Sequence, residues 1–166
     1  MFNQFVTTEP YSFEDVTSSP VTAVTPSQEV VRLGRLLPQD IYLGCASWNF
    51  PGWKGIVWGE TSGVEDLTRR GLAAYCKHPI LRAVGVDWSF FGTLNEMAYA
   101  AMAAQVDERF RFLIKAPQTV TDAVKRDPKG RFRSLNQDFL DLHATMHEFV
   151  YPVINGLGEN AGPLVF

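Results

Sequence analysis

Three runs of strand length, at residues 41–46, 81–86 and 110–115, are apolar almost throughout, with stretches of helical periodicity between them. A strand without alternation suits burial on both faces, the situation of a parallel sheet. A fourth run, Gly162-Pro163-Leu164-Val165-Phe166, comes last. The pattern is therefore a leader followed by β–α–β–α–β–α–β. Strands alternating with helices imply parallel pairing through right-handed crossovers. The fold class is α/β.

The first run breaks into an aromatic loop holding Trp48, Phe50, Trp53 and Trp58. A loop with that much apolar surface either plugs one end of the fold or forms the wall of a pocket. A first helix is expected from about residue 64 to 77, with Leu67, Gly71, Leu72 and Tyr75 on one face and Pro79 stopping it. Thr93-Leu94-Asn95-Glu96 fits a capping box for an alanine-rich second helix. A charged connector, 125–133, follows the third strand. A third helix is expected from Asn136 as N-cap, with a stripe of Phe139, Leu142, Met146, Phe149 and Val150, until Pro152 kinks or ends it.

Residues 1–38 read as a leader. Pro10, Pro20, Pro26 and Pro38 interrupt it, and only 30–37 has the makings of a short helix docking on the domain. The remainder is expected to be mobile or draped on the surface. The N-terminus lacks a cationic, unbroken apolar signal, and no apolar run reaches membrane-spanning length. A formal charge of -3 gives no footprint for nucleic acid. Cys45 and Cys76 are too few for a disulfide framework and fit packed, reduced thiols, so the expected location is cytoplasmic.

Two parallel arrangements satisfy the pattern, a doubly wound sheet and a TIM barrel. A dinucleotide-binding sheet needs Gly-x-Gly-x-x-Gly after its first strand; Gly44-Cys45-Ala46-Ser47-Trp48-Asn49 does not supply it.

At this point four blocks bear on the choice. Leu43-Gly44-Cys45-Ala46-Ser47-Trp48-Asn49-Phe50-Pro51-Gly52-Trp53 resembles the opening motif of the domain of unknown function 72 family, the YecE-like TIM barrels. Gly71-Leu72-Ala73-Ala74-Tyr75 with His78-Pro79-Ile80-Leu81-Arg82-Ala83-Val84-Gly85-Val86-Asp87 resembles its next block. Phe110-Arg111-Phe112-Leu113-Ile114-Lys115-Ala116-Pro117, with Val120-Thr121-Asp122, resembles the third, and Gly162-Pro163-Leu164-Val165-Phe166 the fourth strand. The resemblance implies a (β/α)8 TIM barrel of about 250 residues. Residues 39–166 then correspond to its N-terminal half, about four βα units, and two sheet edges are expected to stand unpaired. The sequence departs from the family after the second strand, where Trp88, Ser89, Phe91 and Thr93 replace a more polar set that includes a tyrosine. The family implies a fold and a functional face, without a reaction.

In TIM barrels the site lies at the C-terminal ends of the strands. That rule selects Ser47, Trp48 and Trp53 after the first strand, Asp87 and Ser89 after the second, and Lys115 and Gln118 after the third. Asp87 and Lys115 are the catalytic candidates. A lysine beside a carboxylate acts as an acid–base pair, holds an anion or forms a Schiff base; the same pair also serves as a structural ion bridge. Arg82 points either outward to a helix or inward. His143 and His147 share a helical face, but Ala144 stands where a zincin helix needs glutamate, so no metal is expected. His78 is expected to be a cation at a helix C-terminus. No cofactor motif is present. The leading functional reading is a barrel that binds a small polar or anionic molecule at its strand ends. The alternative is a non-catalytic, truncated barrel that associates through its open strand edges. Neither nucleic acid nor membrane is an expected partner.

Overall fold

The computed structural model describes residues 20–60 and 62–166. The expected leader lies in part, at residues 1–19, outside the described residues. Its later part is tied down. Val24 N donates to Val57 O at 2.9 Å and Gly59 N to Thr22 O at 2.9 Å, and Ala23 bridges to Trp58. Helix α1, Gln28–Leu36, spans most of the expected short helix. Ser27 caps it, accepting from Val30 N at 3.3 Å. Arg82 points outward to this helix: its guanidinium donates to Gly34 O (2.8 Å), Leu37 O (3.2 Å) and Pro38 O (2.7 Å). A cation on the last carbonyls of a helix satisfies orphan acceptors and complements the helix dipole.

Strand β1, Leu43–Cys45, leads through a 3₁₀ turn at Pro51–Trp53 to helices α2, Val64–Arg70, and α3, Leu72–Tyr75. Strand β2, Leu81–Val86, precedes a 3₁₀ turn at Asp87–Phe90 and helix α4, Glu96–Ala103. Strand β3, Arg111–Lys115, is followed by helix α5, Gln118–Thr121, and by strands β4, Val124–Arg126, and β5, Phe132–Leu135. Helix α6, Leu142–Thr145, a π-helical stretch at Met146–Val150 and helix α7, Tyr151–Leu157, then lead to strand β6, Ala161–Val165. Strands β1, β2, β3 and β6 form one parallel sheet in that order, and β4 and β5 an antiparallel hairpin. The fold is mixed α/β with a four-stranded parallel sheet.

The sheet is not buried equally on its two faces. Val84, Val86, Phe112 and Ile114 are buried and join Leu67, Leu72, Tyr75, Tyr99, Phe149 and Val153 in the core. On the opposite face Gly85 stands beside Leu113 and Ala83 beside Arg111. Leu113 is 37% exposed, between two strand neighbours at 0%. The apolar runs were expected to be buried on both faces; here one face packs and the other is half-open. Strand β1 is also shorter than the expected 41–46. Ile41, Tyr42 and Leu43 are exposed, because β1 is an edge strand with one neighbour and its register shifts between Leu43 and Gly44. Beside that shift the Tyr75 hydroxyl accepts from Cys45 N at 3.0 Å and donates to Ala83 O at 3.1 Å. Burial pushes this phenol above its ordinary pKa.

Local chemistry corrects further expectations. The single helix over 64–77 is broken at Gly71 into α2 and α3. Helix α4 is capped by Asn95, not Thr93; its carboxamide oxygen accepts from Ala98 N at 2.9 Å, which puts Glu96 inside the helix. Asn136 is no N-cap. It is buried, and its amide donates to Thr119 O (2.7 Å) and Asp122 O (2.8 Å). The cap is Asp141, whose carboxylate accepts from Ala144 N at 2.8 Å. Leu142, expected on the apolar stripe of the third helix, is 74% exposed. Pro152 does not end the helix, because the wider π-helical turn before it absorbs the missing donor and the ring's bulk. Gly156 lets α7 lie against α4, where a Cβ would strike Glu96 O and Tyr99.

The charged connector is the β4–β5 hairpin. Asp127 organises its turn, accepting from Lys129 N (2.8 Å) and Arg131 N (2.9 Å), with Gly130 at φ 78°. Among the described residues no helix is long and apolar enough to cross a membrane.

Candidate functional site

The C-terminal ends of β1, β2 and β3 bring the expected residues to one end of the sheet, but each has its own surroundings. Trp48 is 1% exposed. Its indole nitrogen donates to Thr68 O at 3.2 Å, and its ring meets Trp88 edge-on at 4.7 Å. Trp48 and Trp88, with Leu94, Ala98 and Met102, line a small apolar hollow against α4. Of the two readings of the aromatic loop, packing holds for Trp48 and Trp58. Trp58 is fully buried and donates to Phe50 O at 2.9 Å. Trp53 is half-buried and lies against Trp58, Tyr75 and Phe50 at centroid distances of 6.4, 6.2 and 5.6 Å. Ser47 is half-buried.

Ser89 is 1% exposed. Its hydroxyl oxygen lies 2.6 Å from both Val86 O and Lys115 O, so its one proton serves two carbonyls and ties the turn after β2 to the end of β3. Lys115 is half-buried, with its amine 4.8 Å from the centroid of the Phe90 ring. Asp87 is exposed. Among the described residues no ion pair joins Asp87 to Lys115. The expected acid–base couple is therefore not assembled: the lysine turns to an aromatic face and the carboxylate to solvent. Gln118 is exposed at the first position of α5.

The remaining titratable candidates are also located. His143 and His147 stack at a centroid distance of 4.3 Å on an exposed face beside Tyr151. Among the described residues no group of three or more His, Cys, Asp or Glu side chains converges as a metal site. His78 is not the expected helix-terminal cation. Its Nδ1 accepts from Ile80 N at 3.3 Å, which requires that nitrogen unprotonated, and burial lowers its pKa below the ordinary value. Cys45 and Cys76 are free thiols. Burial, then the Asp107 charge, raises the Cys76 thiol, which points at Ala73 O and Gln105 O.

Two features escaped the sequence reading. Tyr75 was read only as one of four residues sharing a helix face, yet its hydroxyl joins β1 to β2. Phe90, whose ring faces the Lys115 amine, was not singled out in the turn after the second strand.

The model of the family described as "Protein of unknown function DUF72" matches residues 42–166. A search of curated proteins found no match. Among solved structures, a DUF72 family protein from Enterococcus faecalis V583 is similar at 17% identity and a TM-score of 0.34, over 54% of this chain and 32% of that one. The chain thus spans about a third of that protein's length.

Proposed function

As the chain belongs to the DUF72 family through residues 42–166, we propose that it has a TIM-type strand arrangement and acts by associating through the exposed margins of its parallel sheet. The observation that carries this reading is the exposure at both margins of the parallel sheet. At and just before β1, Ile41, Tyr42 and Leu43 are 42%, 41% and 45% exposed; at the end of β6 Val165 is 40% exposed, and Phe166 after it 63%. Among the described residues neither strand has a second neighbour in the sheet. Unpaired main-chain groups beside bare apolar side chains favour pairing with further strands. Sedimentation velocity over a concentration series tests it. Species heavier than 18.6 kDa that dissociate on dilution are expected; a strict monomer with native circular dichroism rejects the reading.

A second reading keeps the strand ends as a ligand site. Its support is Lys115, a half-buried cation with an aromatic ring rather than a carboxylate as its neighbour. Such a group suits a small anion, with Ser47, Gln118 and the rim around Trp53 as its surroundings and Asp87 as an exposed acid. Titration with inorganic phosphate, followed by tryptophan fluorescence, is expected to saturate in the native chain and not in Lys115→Ala. An identical response from both removes Lys115 from the site.

A further inference from the structure

We propose that His143 and His147 form a chelating pair for a late first-row divalent metal ion, such as nickel, copper or zinc. The pair stands on the helical run that precedes β6 and uses none of the residues at the strand ends. His143 lies in α6 and His147 in the π-helical stretch that follows it. Residues four apart share one face of a helix, so the two imidazoles meet through local backbone geometry alone. Their centroids are 4.3 Å apart and their planes differ by 30°. An ion held by two imidazoles at about 2.0 to 2.1 Å sets the donor nitrogens about 3 Å apart. Rings at the observed spacing reach that separation by a small rotation about their side-chain bonds.

Packing does not account for the pair, since both side chains are exposed. Among the described residues neither imidazole makes a hydrogen bond or an ion pair. Their contacts are with each other and, for His147, with the Tyr151 ring at 5.2 Å. The ring nitrogens are therefore available to a ligand. Beneath them Tyr151 N donates to Met146 O, the i to i+5 bond of a π-helical turn, a feature that recurs at functional sites. The local charge favours a cation. Residues 134–166 include Asp138, Asp141, Glu148 and Glu159 and no lysine or arginine. Helix α4, against which α7 packs, adds Glu96. Lys125 reaches this run from β4 and is paired with Asp138 at 3.3 Å.

The donor set selects the ion. Imidazoles suit nickel, copper and zinc, whereas calcium and magnesium take oxygen donors. Two donors leave the remaining positions of the ion to water or to a group from another molecule. Ala144 takes the place of the glutamate that a zincin helix needs, so the clamp holds an ion without that general base.

Calorimetric titration of the full chain with nickel chloride alone tests the site. One ion per chain is expected. Binding is expected to weaken by at least about tenfold in His143→Ala and in His147→Ala, the cost of losing even an outer-sphere partner of a metal ligand. His78→Gln is expected to bind as the native chain does. In the native chain nickel is also expected to slow amide exchange over residues 143–151, because the ion ties two helical turns together. Binding left unchanged by either alanine substitution, no binding at millimolar nickel, or exchange that nickel does not slow overturns the chelate.

Discussion

The hydroxyl of Ser89 lies 2.6 Å from the main-chain carbonyl of Lys115, joining the turn after β2 to the last residue of β3. A residue selected for its place at a strand end thus serves the scaffold. Ser89→Ala leaves the buried Val86 carbonyl and the part-buried Lys115 carbonyl short of a donor and is expected to cost about 1 to 3 kcal/mol. The midpoint of urea unfolding measures it, and an unchanged midpoint refutes the role.

Tyr75 makes the matching link between β1 and β2. Tyr75→Phe keeps the ring and removes the hydroxyl that meets Cys45 N and Ala83 O. A loss of about 1 to 3 kcal/mol is expected. Hydrogen exchange at the Cys45 amide is expected to speed up well beyond the change at β3.

Trp48 fills space between the sheet and α4. Trp48→Ala is expected to lose about 3 to 5 kcal/mol, as for other large buried side chains. A loss of under 1 kcal/mol in urea unfolding would mean that the ring is not part of the core.

His78 gives the fold a pH dependence of definite sign. Its pKa in the folded chain lies below the unfolded value near 6.5, so the unfolded chain takes up the proton first. Its contribution is intact above pH 6.5 and declines as the pH falls through 6.5 toward the lowered folded value. Stability in urea at pH 7.5 and 5.5 is expected to differ less in His78→Gln than in the native chain. An equal difference assigns the pH dependence to other groups.

Arg82→Ala is expected to free α1 from the sheet without unfolding it. Amide exchange across residues 28–36 is expected to accelerate while β2 and β3 stay protected. Exchange that rises evenly over the chain would argue for a global loss instead.

How much of this could be read from the amino acids varies with the physics of each element. Strand β2 was expected at 81–86 and is found there, because a Pro-stopped helix precedes it and five of its six residues are apolar. Strand β1 was drawn too long, since apolar character does not distinguish a buried strand from an edge. The β4–β5 hairpin was read as a connector because Lys125, Arg126, Arg131 and Arg133 hid its extended backbone, although Asp127-Pro128-Lys129-Gly130 held a turn signal. Asn136 has the right chemistry for a helix cap but is drawn inward by two carbonyls beyond the reach of local pattern. At the strand ends, position was legible and contact was not. That Lys115 turns to Phe90 and not to Asp87 depends on rotamers and on how a short 3₁₀ turn is set, which spacing does not encode.

The three hydrogen bonds from Arg82 to Gly34, Leu37 and Pro38 bridge 44 to 48 residues of sequence. Helix α1 is synthesised before the side chain that secures its last turn. On a ribosome it must wait, weakly helical on its own at nine residues, until β2 has been made and has found the sheet. The order of assembly therefore departs from the order of translation at this end of the molecule: the earliest described helix is fixed only after β2.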